Sequence, residues 1–242
     1  MANISPRDRL IVALDVPTVE AARALVGRLG AGVTFYKIGL ELVIAGGVDL
    51  VRQLAAAGKR VFLDLKLLDI ENTVERATRS AAAAGATFLT VHAHDSKTLW
   101  AALAGRSGTD LKILGVTVLT NLNAADLSQQ GIAAAPEELV TRRAALARDA
   151  GCDGVVASGL EAARVRTIVG PTMVIIAPGI RLPGADAGDQ ARVAGPGQAI
   201  AAGADYLVVG RPITSAAEPT AAVELYHREI DQGLSVRALG AP

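Results

Sequence analysis

At four places in this chain an alanine-rich segment closes on an Ala-Gly pair and runs straight into apolar residues: Ala57-Gly58, Ala84-Gly85, Ala150-Gly151 and Ala202-Gly203. Glycine adopts the left-handed conformation that ends a helix without a steric penalty. Each pair therefore predicts a helix-to-strand joint. The apolar runs at 10–14, 35–40, 60–66, 88–93, 112–119, 154–158, 173–177 and 206–210 predict about eight short strands. Between them lie helical segments: 19–29, introduced by Pro17 and Thr18, another near 48–57 that ends at Gly58, and one that begins near Asn72 with Glu75 three residues on. Strands that are almost continuously apolar and alternate with helices imply a parallel sheet covered by helices. Eight such units in 242 residues fit a closed (β/α)8 barrel better than an open doubly wound sheet, so the expectation is an α/β chain forming one barrel domain over 1–242.

Composition narrows the function classes. A hydrophobic fraction of 51% with 3% aromatics describes a core of Ala, Val, Leu and Ile and argues against disorder. Lys plus Arg number 24 and Asp plus Glu number 24, which predicts no polyanion-binding surface and hence no nucleic-acid partner. Small molecules are the expected ligands. Cys152 is the single cysteine and is read as inert. The charged start of the chain does not resemble a signal peptide, and no apolar run spans a bilayer, so the expectation is a cytoplasmic protein with no membrane partner.

Chemistry concentrates in residues 61–74, VFLDLKLLDIENTV. Asp64 and Lys66 are two apart in a predicted strand and so share a face, while Asp69 follows where the strand gives way to a turn. Charges beside a core persist when they are paired. In a barrel, reacting groups sit at the carboxyl ends of the strands. Those ends carry Asp15, Lys37, Asp64 with Lys66, His92, Thr117 to Thr120, Ser158 and Gly210-Arg211. The long Gly- and Pro-rich loop 178–197 adds Gly179, Arg181 and Gln190. Loops after the seventh and eighth strands are the usual phosphate site of this architecture, and glycine amides with a forked guanidinium suit a dianion. A phosphorylated substrate is the first expectation.

Plainer readings stand beside these. Asp69 can be a helix cap, and Asp64 with Lys66 a buried structural pair. His92 and His94 lack a third ligand at a recognisable spacing and read as packing groups, not a metal site. Arg211 can be a solvated loop charge, and the charges over 138–149 a solvated helix face.

The ordered set ALD at 13–15, KIG at 37–39, DLKLLDIENT at 64–73, VTVLT at 116–120, PGIR at 178–181, GDQ at 188–190 and VGR at 209–211 resembles the orotidine 5′-phosphate decarboxylase family. It extends over roughly residues 9–229; Glu71 departs from the Pro or Gly expected there. The resemblance implies that Lys66 donates a proton to C6 of the pyrimidine of orotidine 5′-phosphate, giving UMP. It implies an alternating network of Lys37, Asp64, Lys66 and Asp69, with Asp69 and Thr73 reaching the neighbouring active site of a homodimer. By the same resemblance, Asp15 and Lys37 hold ribose hydroxyls and Thr120 the pyrimidine edge. Gln190, Arg211 and the Gly210 amide hold the phosphate, Arg181 belongs to the closing loop 178–197, and neither metal nor organic cofactor is needed.

Those residues suit that chemistry. Loss of CO2 leaves an in-plane carbanion that the ring cannot delocalise, and a fixed ammonium can stabilise and then protonate it. Anions beside Lys66 favour its charged form, which argues against a Schiff base. Two rivals remain open: a Mg²⁺-dependent decarboxylase or aldolase of the same superfamily acting on a sugar phosphate, and a barrel that binds a phosphorylated metabolite without turning it over. Lys37 stands where the metal-dependent relatives have an acidic ligand, and an ammonium there repels a divalent cation.

Overall fold

Four of the short strands are entered from a glycine joint, Gly58, Gly85, Gly151 or Gly203, that ends the helix before them. The computed structural model describes residues 4–184 and 193–239. Eight parallel strands, Leu10–Ala13 (β1), Phe35–Gly39 (β2), Arg60–Leu67 (β3), Phe88–His92 (β4), Lys112–Val116 (β5), Gly154–Val156 (β6), Val174–Ala177 (β7) and Tyr206–Val209 (β8), pair in sequence order into a closed barrel. Closure is carried by β1, which pairs Val12 with Tyr36 on one side and Ile11 with Val208 on the other.

Helices follow each strand. Val19–Leu29 (α1) is capped by the Thr18 hydroxyl, which accepts from the Ala21 N–H, as predicted. Leu40–Leu42 (α2) passes through a π-type turn, Val43–Gly47, into Val48–Ala56 (α3). Then come Glu71–Ala83 (α4), Ser96–Gly105 (α5), Ala124–Gln129 (α6), Pro136–Ala150 (α7), Ala162–Val169 (α8), Pro196–Ala201 (α9), Arg211–Thr214 (α10) and Pro219–Leu239 (α11). The four Ala-Gly joints are real: Gly58, Gly85, Gly151 and Gly203 have φ of 73°, 85°, 91° and 111°. None of the helices among the described residues is long and apolar enough to cross a membrane.

Two expectations need correction. Helix α4 starts at Glu71, one residue before the expected Asn72 cap; its N-cap is Ile70, with no side-chain cap. The Asp69 carboxylate accepts from the Ile70 N–H at 2.7 Å, so it fixes the turn ahead of the helix and does not cap the first helical turn. Nor is the charged face of α7 wholly solvated. Arg143 turns inward, half-buried, and donates from Nη1 to the Thr117 carbonyl at 2.7 Å.

Alternation along the strands sorts the side chains into two cores. Leu10, Val12 and Leu14 pack outward under the helices, whereas Ile11 and Ala13 face the barrel axis. All three phenylalanines of the chain, Phe35, Phe62 and Phe88, point inside with Tyr206. Their ring centroids lie 5.1–6.1 Å apart in tilted and edge-on arrangements. Burying each ring stabilises the fold by about 1.5–3 kcal/mol, more than the ~0.5–1.5 kcal/mol of a ring pair, so burial decides the placement. The same period sets the site. Two residues beyond Phe35 and Phe62 come Lys37 and Asp64, on the same inward face and one layer nearer the carboxyl end.

Candidate active site

Above the aromatic layer the barrel opens into a cavity of about 510 Å³, floored by Phe62, Val116, Val156 and Val208. Asp15, Lys37, Asp64, Lys66, Thr120, Arg181, Gly210 and Arg211 all line it, as does Gly179. Strands β1, β2, β3, β5, β7 and β8 thus bring together what lies up to 196 positions apart in sequence, from Asp15 to Arg211.

The charges alternate. Lys37 Nζ lies 2.8 Å from Asp15 Oδ1 and 3.5 Å from Asp64 Oδ2, and Lys66 Nζ lies 2.8 Å from Asp64 Oδ1. Side-chain exposure rises from 10% at Lys37 and 14% at Asp64 to 30% at Lys66, so Lys66 is the ammonium that the cavity reaches most freely. Two unit charges 4 Å apart attract by about 4 kcal/mol at an effective dielectric of ~20, similar to the several kcal/mol each loses on desolvation. Pairing is therefore what keeps the buried Lys37 and Asp64 charged. Burial alone would raise the Asp64 carboxyl, yet Lys37, then Lys66, and hydrogen bonds from Lys66 and Thr90 hold it below the usual carboxylate range. Burial would lower the Lys37 amine, but Asp64 and then Asp15 hold it above its ordinary value. Gly39 makes room for this pair: a Cβ there would stand 3.0 Å from Lys37 Nζ and 3.2 Å from Asp15 Oδ1.

Lys66 has an unusual backbone. Its φ of 49° is the one positive value at a non-glycine among the described residues, in a region that costs an L-residue about 1–2 kcal/mol. Such strain persists where surrounding structure over-determines it.

Several sequence-derived candidates fall elsewhere. Asp69 and Thr73 are exposed and do not line this chain's cavity; Asp69 lies with Leu68, Ile70 and Glu71 at a separate shallow depression. Gln190 lies outside the described residues, with the rest of GDQ. Ser158 caps the short turn before α8, its hydroxyl accepting from the Leu160 N–H, and the Thr117 hydroxyl donates to the Val156 carbonyl. The rings of His92 and His94 lie 4.6 Å apart, tilted by 36°. Burial, with His94 and Arg143 adding to it, pushes His92 down to about 4. Among the described residues no three His, Cys, Asp or Glu are grouped to hold a metal. Cys152 is buried, and burial pushes its thiol up to about 12, which removes thiolate reactivity.

Thr90, Glu41 and Asn121 were missed. Glu41 and Asn121 line the cavity, while Thr90 holds Asp64 from behind. A hydroxyl inside the run FLTVH, in phase with Phe88, was the available signal for Thr90; Glu41 stands in the short helix α2 and Asn121 in the loop after β5, and no pattern foretold the course of either.

A (β/α)8 barrel with a buried carboxylate–ammonium chain at the carboxyl ends of its strands and arginines across the same cavity defines a class: barrel enzymes acting on phosphorylated small molecules. Within it the chain belongs to the orotidine 5′-phosphate decarboxylase / HUMPS family, whose model matches residues 8–226. It is 54% identical over 234 residues to the orotidine 5′-phosphate decarboxylase of Bradyrhizobium sp. strain BTAi1, covering 97% of this chain and 96% of that protein. It is 56% identical over 229 residues to the enzyme of the same name from Methylorubrum extorquens strain PA1, covering 95% and 98%. The crystal structure of orotidine 5′-phosphate decarboxylase from Lactobacillus acidophilus superposes with a TM-score of 0.81 at 35% identity, covering 92% of this chain and 98% of that one.

Proposed function

We propose that this protein is a carboxy-lyase that converts orotidine 5′-phosphate to UMP, the last step of pyrimidine nucleotide synthesis, without metal or organic cofactor. The observation that carries the reading is the Lys66 ammonium, 2.8 Å from Asp64 and facing the cavity. The bond from C6 to the carboxylate breaks, CO2 leaves, and the electron pair stays on C6. Lys66 stabilises that charge at short range and hands C6 a proton from Nζ, recovering one from solvent afterwards. Asp64 faces the departing carboxylate and keeps Lys66 aimed.

Asp15 and Lys37 take the ribose hydroxyls, and Thr120 takes the pyrimidine edge. Arg211, the Gly210 amide and Gln190 take the phosphate, with Arg181 in the closing loop 178–197 of this single barrel domain. The phosphate is remote from C6, so its binding energy serves orientation and closure. The exposure of Asp69 and Thr73 outside their own cavity supports a homodimer in which both serve the neighbouring site; light scattering would read twice the chain mass. We place the enzyme in the cytoplasm.

The same family includes Mg²⁺-dependent enzymes on sugar phosphates. Against that reading stands Lys37, whose ammonium already bridges Asp15 and Asp64. The deciding assay follows orotidine 5′-phosphate absorbance with and without EDTA. A fall in absorbance unaffected by chelator supports the proposal. Activity abolished by EDTA and restored by Mg²⁺ supports the sugar-phosphate reading, and UMP binding without turnover supports a binding barrel.

A further inference from the structure

We propose that Thr90 is a positioning residue whose single hydroxyl ties the Lys66 backbone to the Asp64 carboxylate and so aims the Lys66 ammonium. The proposal rests on the reading of Lys66 as proton donor. Strand β4 pairs with β3 at Leu63↔Leu89 and again at Leu67↔Val91, so residues 64–66 of β3 stand opposite Thr90 alone. A β-strand with such an insertion leaves backbone groups without ladder partners. Here the Lys66 N–H donates to Thr90 Oγ1 at 2.9 Å, in the place of a ladder carbonyl.

The hydroxyl proton goes the other way, to Asp64 Oδ1 at 2.9 Å. That same oxygen receives Lys66 Nζ at 2.8 Å. A threonine hydroxyl has one hydrogen to give, and it is committed to Asp64, so its oxygen is left to accept the amide. The bonds form a ring from the Lys66 amide through Thr90 and Asp64 back to the Lys66 ammonium. Thr90 is fully buried, so no water replaces it without a rearrangement. Removing the hydroxyl frees Lys66 to leave φ 49° and strands its N–H. Misplacement of a reacting group by about 1 Å costs on the order of 10²-fold in rate.

Thr90→Val keeps the shape and deletes both hydrogen bonds; Thr90→Ser keeps both bonds and deletes the methyl. Thr90→Ala deletes both features and stands in for the valine variant should that one fail to fold. With orotidine 5′-phosphate, Thr90→Val is expected to lose about 10- to 100-fold in kcat with KM within about threefold, and Thr90→Ser to stay within about threefold in both. The acid limb of the kcat profile should move to higher pH in Thr90→Val and return in Thr90→Ser, because Asp64 loses and regains a donor. A valine or alanine variant with kcat within twofold of wild type overturns the relay, and so does a serine variant as slow as they are. Wild-type chain without turnover overturns the decarboxylase reading and the relay together, and is told apart by that control alone.

Discussion

Lys66 reaches Asp64 across two strand positions, Nζ to Oδ1 at 2.8 Å, from a backbone at φ 49° that no other non-glycine residue shares among those described. An ideal strand would also point both side chains to one face, but it would hold them apart along the strand. The insertion opposite Thr90 swings Lys66 out of the pleat, so the ammonium meets the carboxylate while staying 30% exposed to the cavity. Asp64 is thereby shared: one oxygen serves Lys66 and the other faces Lys37.

If Lys66 both stabilises and protonates C6, its removal should cost two contributions. One fixed donor is worth ~10²–10³-fold in rate, and positioned proton transfer ~10²–10⁴-fold. Lys66→Ala should therefore lower kcat by at least about 10⁴-fold, while UMP affinity, measured by calorimetry, changes little. Near-normal kcat would remove Lys66 from the chemistry.

Arg211 begins α10, after Gly210 at the end of β8, and lines the same cavity as Lys66. An arginine that contributes through the phosphate acts on binding and closure, not on C6 itself. Arg211→Ala should raise KM by about 10- to 100-fold, the ~1.5–3 kcal/mol of a charge-assisted hydrogen bond. In the wild type, millimolar phosphite dianion should restore part of the rate lost on a substrate lacking the phosphate, and Arg211→Ala should weaken that rescue. Absence of any rescue would move the phosphate elsewhere.

Fold and site were legible to different degrees, for physical reasons. The Ala-Gly joints foretold Gly58, Gly85, Gly151 and Gly203 because a positive φ is a local requirement that glycine meets alone in comfort. Lys37 and Asp64 were legible because the period of two carries the inward face from Phe35 and Phe62 to the next layer. Lys66 breaks that logic: its N–H is held by the hydroxyl of Thr90, twenty-four residues away, and no local pattern encodes a partner on the next strand. Arg143 was misread for the same kind of reason. Its helix is charged on both sides of it, and the carbonyl of Thr117 that draws it inward belongs to the loop after β5.

Acid sensitivity should begin with a histidine. Burial first, then His94, Arg143 and Lys66, push His92 from an ordinary value of 6.5 down to about 4, with Asp64 opposing. The folded protein therefore keeps His92 neutral where the unfolded chain binds a proton. The sign follows: this share of stability is full above pH 6.5 and is lost as pH falls toward about 4. His94 and His227 are shifted the same way and add to the loss. Urea midpoints measured from pH 7.5 to 4.5 should fall in the wild type and fall less in His92→Gln. Equal slopes would show that His92 titrates normally.

At the opposite end of the barrel from the cavity, Asp205 holds three arginines. Its Oδ2 accepts from the Ile175 N–H at 2.9 Å and from Arg166, while Arg9 and Arg237 lie 3.9 and 3.7 Å from Oδ1. Arg9 also donates to the Asp205 carbonyl at 3.0 Å. Removing one partner of a buried ion pair leaves charge uncompensated, at about 3–5 kcal/mol, and here three cations would lose their one shared anion. Asp205→Ala should lower Tm by about 6–20 °C at the ~2–4 °C per kcal/mol of a chain this size. Because none of these residues lines the cavity, kcat/KM measured well below Tm should be unchanged. A large loss of kcat in a folded Asp205→Ala protein would mean that the two ends of the barrel are coupled, and a Tm within about 2 °C of wild type would mean that water screens the cluster more than its burial implies.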